Sequence, residues 1–384
     1  MKKFLKVLLL TLSHLLVGVL AVAVTLMLLP NQGSSKLDKL QSLIEERFIG
    51  QVDSTAVEDA AAHAMIGALG DEWSYYLPAS SYGAYLEQKH NSYVGIGVTI
   101  QAREDNMGFD VLLVEPGGPA QEGGVMPGDI MTHVEGEPVS ELGINATGDK
   151  VRGPEGTTVN ITFLRGEEVL ELTLERRTIQ VAVAEYEMLP DNIGYIKINN
   201  FNSKCADETI AAVDTLIERG ARALIFDVRN NPGGYVDELV AVLDYLLPEG
   251  VLFRSESYDG KQTIRESDKK CIELPMAVLF NGESYSAAEF FAAALEEYDW
   301  AITVGDPTCG KSYYQNTFEL GDGSAVGLST GKYSTPNGVV LAEVGGLTPQ
   351  ILVEVDDQTA AKIYADMLEP EDDPQLQAAI AALK

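Results

Sequence analysis

The chain has 384 residues, which is long for one domain and predicts two or three. Its 58 acidic residues outnumber its 27 basic residues, and a formal net charge of -31 argues against a nucleic-acid partner. Three cysteines without a Cys-x-x-Cys pair give no disulfide framework. With four histidines and no His-Glu-x-x-His sequence, a zinc site is not expected.

The first thirty residues predict a membrane anchor. Met1-Lys2-Lys3 precedes an almost continuous apolar stretch from Phe4 to Leu29, which exceeds the roughly 20 residues that span a bilayer. Lysines kept in the cytoplasm would put residues 31–384 outside it, as an extracytoplasmic, single-pass protein. A cleaved signal peptide is the alternative, but residues 28–31 make a poor cleavage site, so an uncleaved anchor over residues 1–30 is favoured.

Residues 31–91 predict a helical N-terminal segment. After a short polar linker, apolar residues recur at helical spacing from Leu37 to Phe48 and again from Val57 to Leu69. Gly70 ends the second helix, and the helical prediction extends to about His90. An aromatic group follows Gly70, and its members are assigned to packing rather than binding: Trp73, Tyr75, Tyr76, Tyr82 and Tyr85.

Residues 92–178 have the pattern of short strands separated by glycine turns. One strand is predicted over Tyr93 to Ile100, and others over Val111 to Val114 and near Val125 to Met131. A hairpin is predicted around Arg165-Gly166. The glycines before an open strand could offer backbone N–H groups to the carboxylate of a peptide that adds as an extra strand. A tight turn or bulge explains them equally well.

From residue 179 onward, strands and helices alternate in an α/β pattern. Ala223 to Val228 is predicted to be a buried strand, followed by the loop Arg229 to Gly234 and a helix from Tyr235 to Leu247. Strands are predicted again beyond Gln315, and the tail from Gln358 is helical. The expected fold class is therefore α+β and multidomain.

Residues 276–315 concentrate the candidate chemistry. Ser286 follows an apolar strand at the start of a helix, where backbone N–H groups and the helix dipole stabilise developing negative charge. Lys311 follows the next strand, and no histidine lies after residue 178. A nucleophile here therefore needs a base other than histidine, and burial can lower a lysine pKa enough for that role.

Local sequence alone leaves other interpretations open for these residues. Ser286-Ala287-Ala288-Glu289 fits an S-x-x-E capping box, so Ser286 could simply cap its helix, as could Ser284. Gly305 to Ser312 also matches the phosphate-binding pattern G-x-x-x-x-G-K-[ST]. That motif needs a helix beginning at the lysine, whereas residues 312–318 are rich in strand-forming types, so a nucleotide-binding protein is the weaker alternative.

Three motifs in order resemble the C-terminal processing peptidases, also called tail-specific proteases. A PDZ-like stretch is carried by Gly95-Ile96-Gly97-Val98, residues 117–120 and residues 127–130. It is followed by Asp227-x-Arg-x-Asn-Pro-Gly-Gly234, then by Asn281-Gly282 through Ser286 to Glu289, then by Gly305 through Thr308 to Gly310-Lys311. The resemblance covers residues 92–350 and implies a PDZ domain at 92–178 and a serine peptidase core of the ClpP/crotonase-like type at 179–384.

The resemblance also implies roles for individual residues. Ser286 falls on the nucleophile, Lys311 on the general base and Gln315 on the residue that orients the lysine. Backbone N–H groups of Ala287 and of Gly233 or Gly234 would hold the oxyanion. The residues expected to bind a peptide tail are Gly95, Ile96, Gly97 and Val98. Arg152 falls on an arginine linked to PDZ-controlled switching, although a surface turn would explain it as well.

Departures from the family pattern affect substrate preference and rate more than reaction class. Tyr285 replaces a small residue before Ser286, Ala288 replaces a serine, Cys309 replaces an aromatic residue, and Ser312 stands where glycine is common. The expected partners are the C-terminal tails of exported or unfolded proteins, and the resemblance implies that no metal or cofactor is required. A homo-oligomer and an activating protein follow from the family alone. A catalytically inactive PDZ adaptor stays open as a further alternative, although Ser286, Lys311 and Gln315 are intact.

Overall fold

The computed structural model describes residues 14, 17, 18, 35–103 and 105–384. Apart from the first three of these, the predicted membrane segment from Phe4 to Leu29 lies outside the described residues. Among the helices that are described, none has both the length and the apolar character needed to cross a bilayer. The chain divides into two compact units, residues 1–65 and residues 66–384.

The described part of the first unit is helical, as predicted. Helix α1 (Lys36–Arg47) begins after Ser35, whose side chain accepts a hydrogen bond from the Asp38 backbone, while the Asp38 side chain accepts one from the Ser35 backbone. Such a capping box satisfies N–H groups that the first turn of a helix leaves unpaired. Helix α2 (Ser54–Gly67) follows.

The helical prediction for the N-terminal segment is wrong at one place. Residues Tyr75–Leu77 form strand β1, which pairs antiparallel with β18 (Ala325–Ser334) before helix α3 (Ala79–Lys89) begins. Tyr75 lies opposite Gly327, and its ring fills the space that a side chain at Gly327 would occupy. The partner for β1 therefore comes from the distant end of the chain, which local periodicity does not report.

The next region contains the following elements: β2 (Ser92–Gly95), β3 (Val98–Ala102), β4 (Phe109–Val114), α4 (Pro119–Glu122), β5 (Ile130–Val134), β6 (Glu137–Pro138), α5 (Val139–Val151), β7 (Thr158–Arg165), β8 (Glu168–Glu175) and β9 (Arg177–Gln180). The strand predicted over residues 93–100 is two strands, because the chain turns at Gly97, whose φ is +76°. β2 pairs with β9, whereas β3 is the edge of a sheet ordered β3-β4-β5-β7-β8.

The peptidase-like core is built on a six-stranded sheet. Its strands are β10 (Ala184–Leu189), β11 (Ile193–Ile198), β12 (Ala223–Asp227), β15 (Met276–Phe280), β16 (Ala301–Gly305) and β19 (Ile351–Leu352), in that spatial order. All pairings are parallel except that of β10 with β11. Every residue of β12 and β15 is buried, as expected for parallel strands covered on both faces.

Helices cover both faces of this sheet. Helices α6 (Cys205–Glu218), α7 (Val236–Leu246) and α8 (Ala287–Glu297) pack with Phe226 and Phe280 on one face. On the other face, Ile225 and Leu279 pack against the C-terminal helix α11 (Pro374–Ala382). The alternation of side chains along β12 and β15 therefore supplies two separate cores.

A second sheet has the spatial strand order β1-β18-β13-β14, with β17 also paired to β18. Its remaining strands are β13 (Gly250–Ser257), β14 (Gln262–Ser267) and β17 (Tyr313–Glu319). The short helix α9 (Leu341–Val344) and helix α10 (Asp357–Tyr364) complete the chain. The expected mixed α and β multidomain architecture is confirmed.

Candidate active site

Ser286 lies where strand β15 turns into helix α8, as the sequence predicts. Its backbone has φ 58° and ψ -125°, a conformation that a non-glycine residue adopts at a cost of about 1–3 kcal/mol. The preceding turn is fixed by the buried Ser284, which donates to Val228 O at 2.7 Å and accepts from the Asn281 N–H at 3.0 Å. Strain maintained by surrounding contacts is typical of functional positions.

The capping interpretation of Ser286 also holds. Ser286 is the N-cap residue of α8 and shares a capping box with Glu289, whose Oε2 accepts a hydrogen bond from the Ser286 N–H at 2.9 Å. The Ser286 hydroxyl lies 2.7 Å from the hydroxyl of Tyr333 on β18. Capping and a place in a polar site are therefore both properties of Ser286, and one does not exclude the other.

Glu289 links the turn that carries Ser286 to the loop that carries Lys311. Its carboxylate is fully buried, and it also accepts hydrogen bonds from the backbone N–H groups of Gly310 at 2.6 Å and Lys311 at 2.9 Å. Burial raises the pKa of Glu289 above its ordinary value, although the hydrogen bonds that it accepts act in the opposite direction. The two chain segments that contain the candidate dyad are thus fixed to one acceptor.

The same contacts contradict the phosphate-loop alternative for Gly305 to Ser312. No helix begins at Lys311 in the described chain, and strand β17 begins at Tyr313 instead. A phosphate loop binds its ligand with backbone N–H groups at a helix start, yet the N–H groups of Gly310 and Lys311 donate to Glu289. The match to the nucleotide-binding pattern is confined to the sequence.

The side chain of Lys311 enters the cleft that Ser286 lines. This cleft has a volume of about 520 Å³. Burial, with a smaller contribution from the nearby positive charge of Lys89, lowers the pKa of Lys311 to about 8. In the described part of the chain, the Ser286 hydroxyl bonds to Tyr333 and not to the Lys311 amine, which instead lies 4.4 Å from the ring centre of Trp73.

Gln315 also lines the cleft, but its side chain does not contact the Lys311 amine. Its amide nitrogen donates to Tyr313 O and to the Ser329 hydroxyl, each at 3.0 Å. The predicted role of orienting the lysine would therefore need a different side-chain conformation from the one present.

The glycine loop after β12 lies directly against the Ser286 turn. A side chain at Gly233, where φ is +83°, would come within 2.8 Å of Ser286 Cβ and of the Ala287 N–H nitrogen. Only glycine permits this approach. The Gly233 N–H donates to Asn231 Oδ1 at 2.8 Å, so among the three predicted oxyanion donors Gly233 already has a partner. Gly234 and Ala287 line the same cleft.

The residues predicted to bind a peptide tail lie at the start of an open sheet edge. Gly95 ends β2, Ile96 and Gly97 form the turn, and Val98 begins the edge strand β3. Arg152 follows helix α5, where its guanidinium lies 3.4 Å from Glu87 of α3 and 5.3 Å from the ring centre of Tyr93. Arg152 therefore connects this region with the helix next to the cleft.

Sequence reasoning missed several residues that surround the candidate dyad. Tyr76 is buried, in line with the packing role predicted for the aromatic group, but Tyr75, Tyr82 and Tyr85 line the cleft and Trp73 contacts Lys311. No pattern in the sequence singles out Tyr333, which lies outside the predicted strands. The S-x-x-E pattern marked Glu289 only as a capping partner, and nothing local pointed to its bonds with Gly310 and Lys311.

Comparisons with known proteins identify the family to which the chain belongs. The model of peptidase family S41 matches residues 192–353, and a PDZ domain model matches residues 111–165. The carboxy-terminal processing protease CtpA of Bacillus subtilis (strain 168) is 31% identical over 361 residues, which cover 89% of this chain and 76% of that protein. The chain belongs to peptidase family S41. It is a serine protease homologous to the carboxy-terminal processing proteases, so the expected enzyme class is confirmed.

Other similar proteins have lower sequence identity. A CtpA-like serine protease of Staphylococcus aureus (strain COL) is 29% identical and covers 83% of this chain, which spans 64% of that relative's length. The photosystem II D1 C-terminal processing protease is 26% identical with a TM-score of 0.48, covering 82% of this chain and 86% of that one. A candidate S41 protease from Bacteroides fragilis NCTC 9343, 16% identical with a TM-score of 0.50, covers 82% and 87% and shows the fold alone.

Proposed function

We propose that the protein is a serine endopeptidase in which Ser286 is the nucleophile and Lys311 the general base. The observation that carries this proposal is the shared cleft. A strained serine at a helix start and a partly buried lysine with a pKa lowered to about 8 line one cavity. At neutral pH a useful fraction of such a lysine is unprotonated, whereas an ordinary lysine has a pKa near 10.4.

In the proposed reaction, the Lys311 amine takes the proton of the Ser286 hydroxyl as the serine oxygen attacks the scissile carbonyl carbon. The C–N bond then breaks, and the ammonium returns the proton to the leaving amine. Water attacks the resulting ester, with Lys311 again taking a proton, and the acid product leaves while Ser286 regains its hydrogen. For these reaction steps to occur, the Ser286 hydroxyl must exchange its hydrogen bond with Tyr333 for one with the Lys311 amine.

Stabilisation of the oxyanion is assigned to the N–H groups at the start of α8 and in the glycine loop. Ala287 is the first residue of the helix, so its N–H and the helix dipole favour negative charge. Gly234 is the better second donor, because the Gly233 N–H is already bonded to Asn231. Gln315 would orient Lys311 only after its amide leaves Ser329.

Recognition of C-terminal tails is proposed for the PDZ region. Support comes from the edge position of β3, which pairs only with β4 among the described strands and leaves one side free for an added strand. The turn at Gly95 to Gly97 would receive the terminal carboxylate. Arg152, through its contact with Glu87 of α3, would link tail binding to the cleft.

Exported or unfolded proteins are the proposed substrates, because the apolar stretch from Phe4 to Leu29 would anchor the chain in a membrane with its bulk outside the cytoplasm. A homo-oligomer and an activating protein remain proposals taken from the family resemblance. Protease-accessibility mapping in sealed vesicles, with epitopes at either end of the chain, would test the orientation.

The test of the mechanism is cleavage of an unfolded protein with a free apolar C-terminus by the full chain, without nucleotide. Ser286→Ala and Lys311→Ala are expected to abolish cleavage, and amidation of the substrate C-terminus is expected to raise KM. Activity in the Ser286→Ala variant equal to that of the parent would contradict the dyad. Tail binding without cleavage by the parent, even after added membrane and partner proteins, would favour the inactive adaptor.

A further inference from the structure

The Lys311 side chain ends between two aromatic rings. Its amine nitrogen lies 4.4 Å from the ring centre of Trp73 and 5.4 Å from that of Tyr285, and the two rings are 5.9 Å apart. Both distances fall within the roughly 6 Å at which a cation is attracted to an aromatic face. Trp73, Tyr285 and Lys311 are all partly buried, so water screens this attraction less than it would at an open surface.

Trp73 is held in place by a hydrogen-bonded loop that comes from the segment before β1. Asp71 accepts bonds from the Trp73 N–H at 3.2 Å and from the Ser74 hydroxyl. The Ser74 hydroxyl in turn accepts from the Ser329 N–H on β18 at 3.0 Å. Because Ser329 also holds the Gln315 amide, one small network fixes both the ring over Lys311 and the side chain predicted to orient it.

The two rings distinguish the two protonation states of Lys311. An ammonium is attracted to the negative face of an aromatic ring, whereas a neutral amine gains nothing comparable. Other charged or titratable groups that act on Lys311 are Lys89, Cys309, Glu289 and Asp71. Of these, Lys89 disfavours the ammonium, as burial does, while the acidic groups favour it. As long as the amine stays between them, the rings therefore favour the ammonium, whereas burial favours the neutral amine.

We propose that Trp73 and Tyr285 form a resting site for the Lys311 ammonium, and that Trp73 is a positioning residue that holds this charged form away from Ser286. The proposal depends on the proposed function, since it takes Lys311 to be the general base. Loss of the proton removes the attraction to the rings and frees the amine to reach the Ser286 hydroxyl. The loop from Asp71 to Ser74 thereby sets how much of the enzyme is ready to react at a given pH.

The first experiment measures the protonation of Lys311 without using catalysis. In the Ser286→Ala background, acetylation of Lys311 by trace acetic anhydride is followed against pH by mass spectrometry, which gives the lysine pKa directly. Trp73→Leu keeps apolar bulk but removes the ring, and Trp73→Phe keeps a ring face. We expect Leu to lower the Lys311 pKa by about half a pH unit to one pH unit, and Phe by clearly less.

The second experiment measures kcat against pH in the Ser286 form of the same variants. Trp73→Leu is expected to shift the acidic limb of the kcat–pH profile to lower pH by the same amount. At pH values well below that limb, kcat should therefore rise about three- to tenfold. An unchanged or raised Lys311 pKa in Trp73→Leu, or equal effects of Leu and Phe, would overturn the resting site. A uniform fall in kcat at every pH with an unchanged Lys311 pKa would indicate a structural role alone and would also overturn it.

The two measurements separate this proposal from the dyad itself. If the Lys311 pKa shifts as expected but the acidic limb of kcat does not follow it, the aromatic site is supported and Lys311 is not the base. If Lys311→Ala abolishes cleavage while Trp73→Leu leaves both the Lys311 pKa and the limb unchanged, the dyad is supported and the resting site is refuted.

Discussion

The backbone N–H of Lys311 donates a hydrogen bond of 2.9 Å to the buried carboxylate of Glu289. Because the same carboxylate accepts from the Ser286 N–H at 2.9 Å, the relative position of the candidate nucleophile and base depends on one side chain. A carboxylate suits this place, since it offers acceptors only and all its partners are donors.

Glu289→Gln should therefore reduce both stability and activity. The glutamine NH₂ would face backbone donors and leave at least one N–H unsatisfied, at a cost of about 1–3 kcal/mol. Displacement of Lys311 by about 1 Å is expected to reduce kcat about 100-fold. Urea unfolding and kcat measure the two effects, and exposed Glu343→Gln is the matched control. A Glu289→Gln variant equal to the parent in both would refute this role of the carboxylate.

Cleavage should increase with pH around the pKa of Lys311, which burial and Lys89 lower to about 8. The neutral amine is the base, so a raised pKa reduces the active fraction at neutral pH. Lys89→Met removes a like charge, and we expect the acidic limb of kcat/KM to move to higher pH.

The Lys89 amine also donates a hydrogen bond of 3.3 Å to Asn202 Oδ1, so Lys89→Met removes a contact as well as a charge. Two controls separate these effects. Lys89→Arg keeps the positive charge and should leave the limb in place. Lys269→Met, at a lysine whose side chain is 82% exposed, makes the same change in net charge at a solvent-exposed position. A limb that moves equally in Lys269→Met and Lys89→Met would show that net charge alone is responsible.

Tyr333→Phe should leave the enzyme active. The ring, whose centre lies 4.5 Å from that of Phe290, would be retained. The hydrogen bond to the Ser286 hydroxyl would be lost, at a cost of about 1 kcal/mol in stability. Burial raises the pKa of the Tyr333 phenol well above neutral pH, so this group is protonated and is not the base. Cleavage within about tenfold of the parent is expected, and activity as low as that of Ser286→Ala would make Tyr333 a catalytic residue.

Arg229 should be essential for stability rather than for chemistry. Its guanidinium is buried, pairs with Asp227 at the end of β12, and reaches Asp373 before helix α11 at 2.8 Å. Arg229→Met would leave two buried carboxylates unpaired, and we expect a loss of about 3–5 kcal/mol in urea unfolding. Arg265→Met, which breaks an exposed pair with Asp237, should cost less than about 1 kcal/mol. Similar losses in the two variants would contradict the buried network.

Much of the site could be predicted because its signals are local. Ser286 was identified from an apolar strand, a turn and a helix start, all of which lie within a few residues of it. The phosphate-loop alternative for Gly305 to Ser312 was also local, and it failed where the structure forms a strand at Tyr313. Strand propensity beyond the lysine had already favoured that outcome.

By itself the sequence determined the order of motifs, the family and the buried strands of the core, and it predicted Ser286 and Lys311 as the candidate dyad. Only the tertiary structure decided what these two residues contact. Trp73 lies just before β1 and reaches Lys311 because β1 pairs with β18, a strand far along the chain, and β18 also carries Tyr333, which reaches Ser286. Hydrophobic periodicity reports which face of an element is buried. It does not report which distant element lies against that face, so the partners that set the protonation and orientation of the site emerge only from the folded chain.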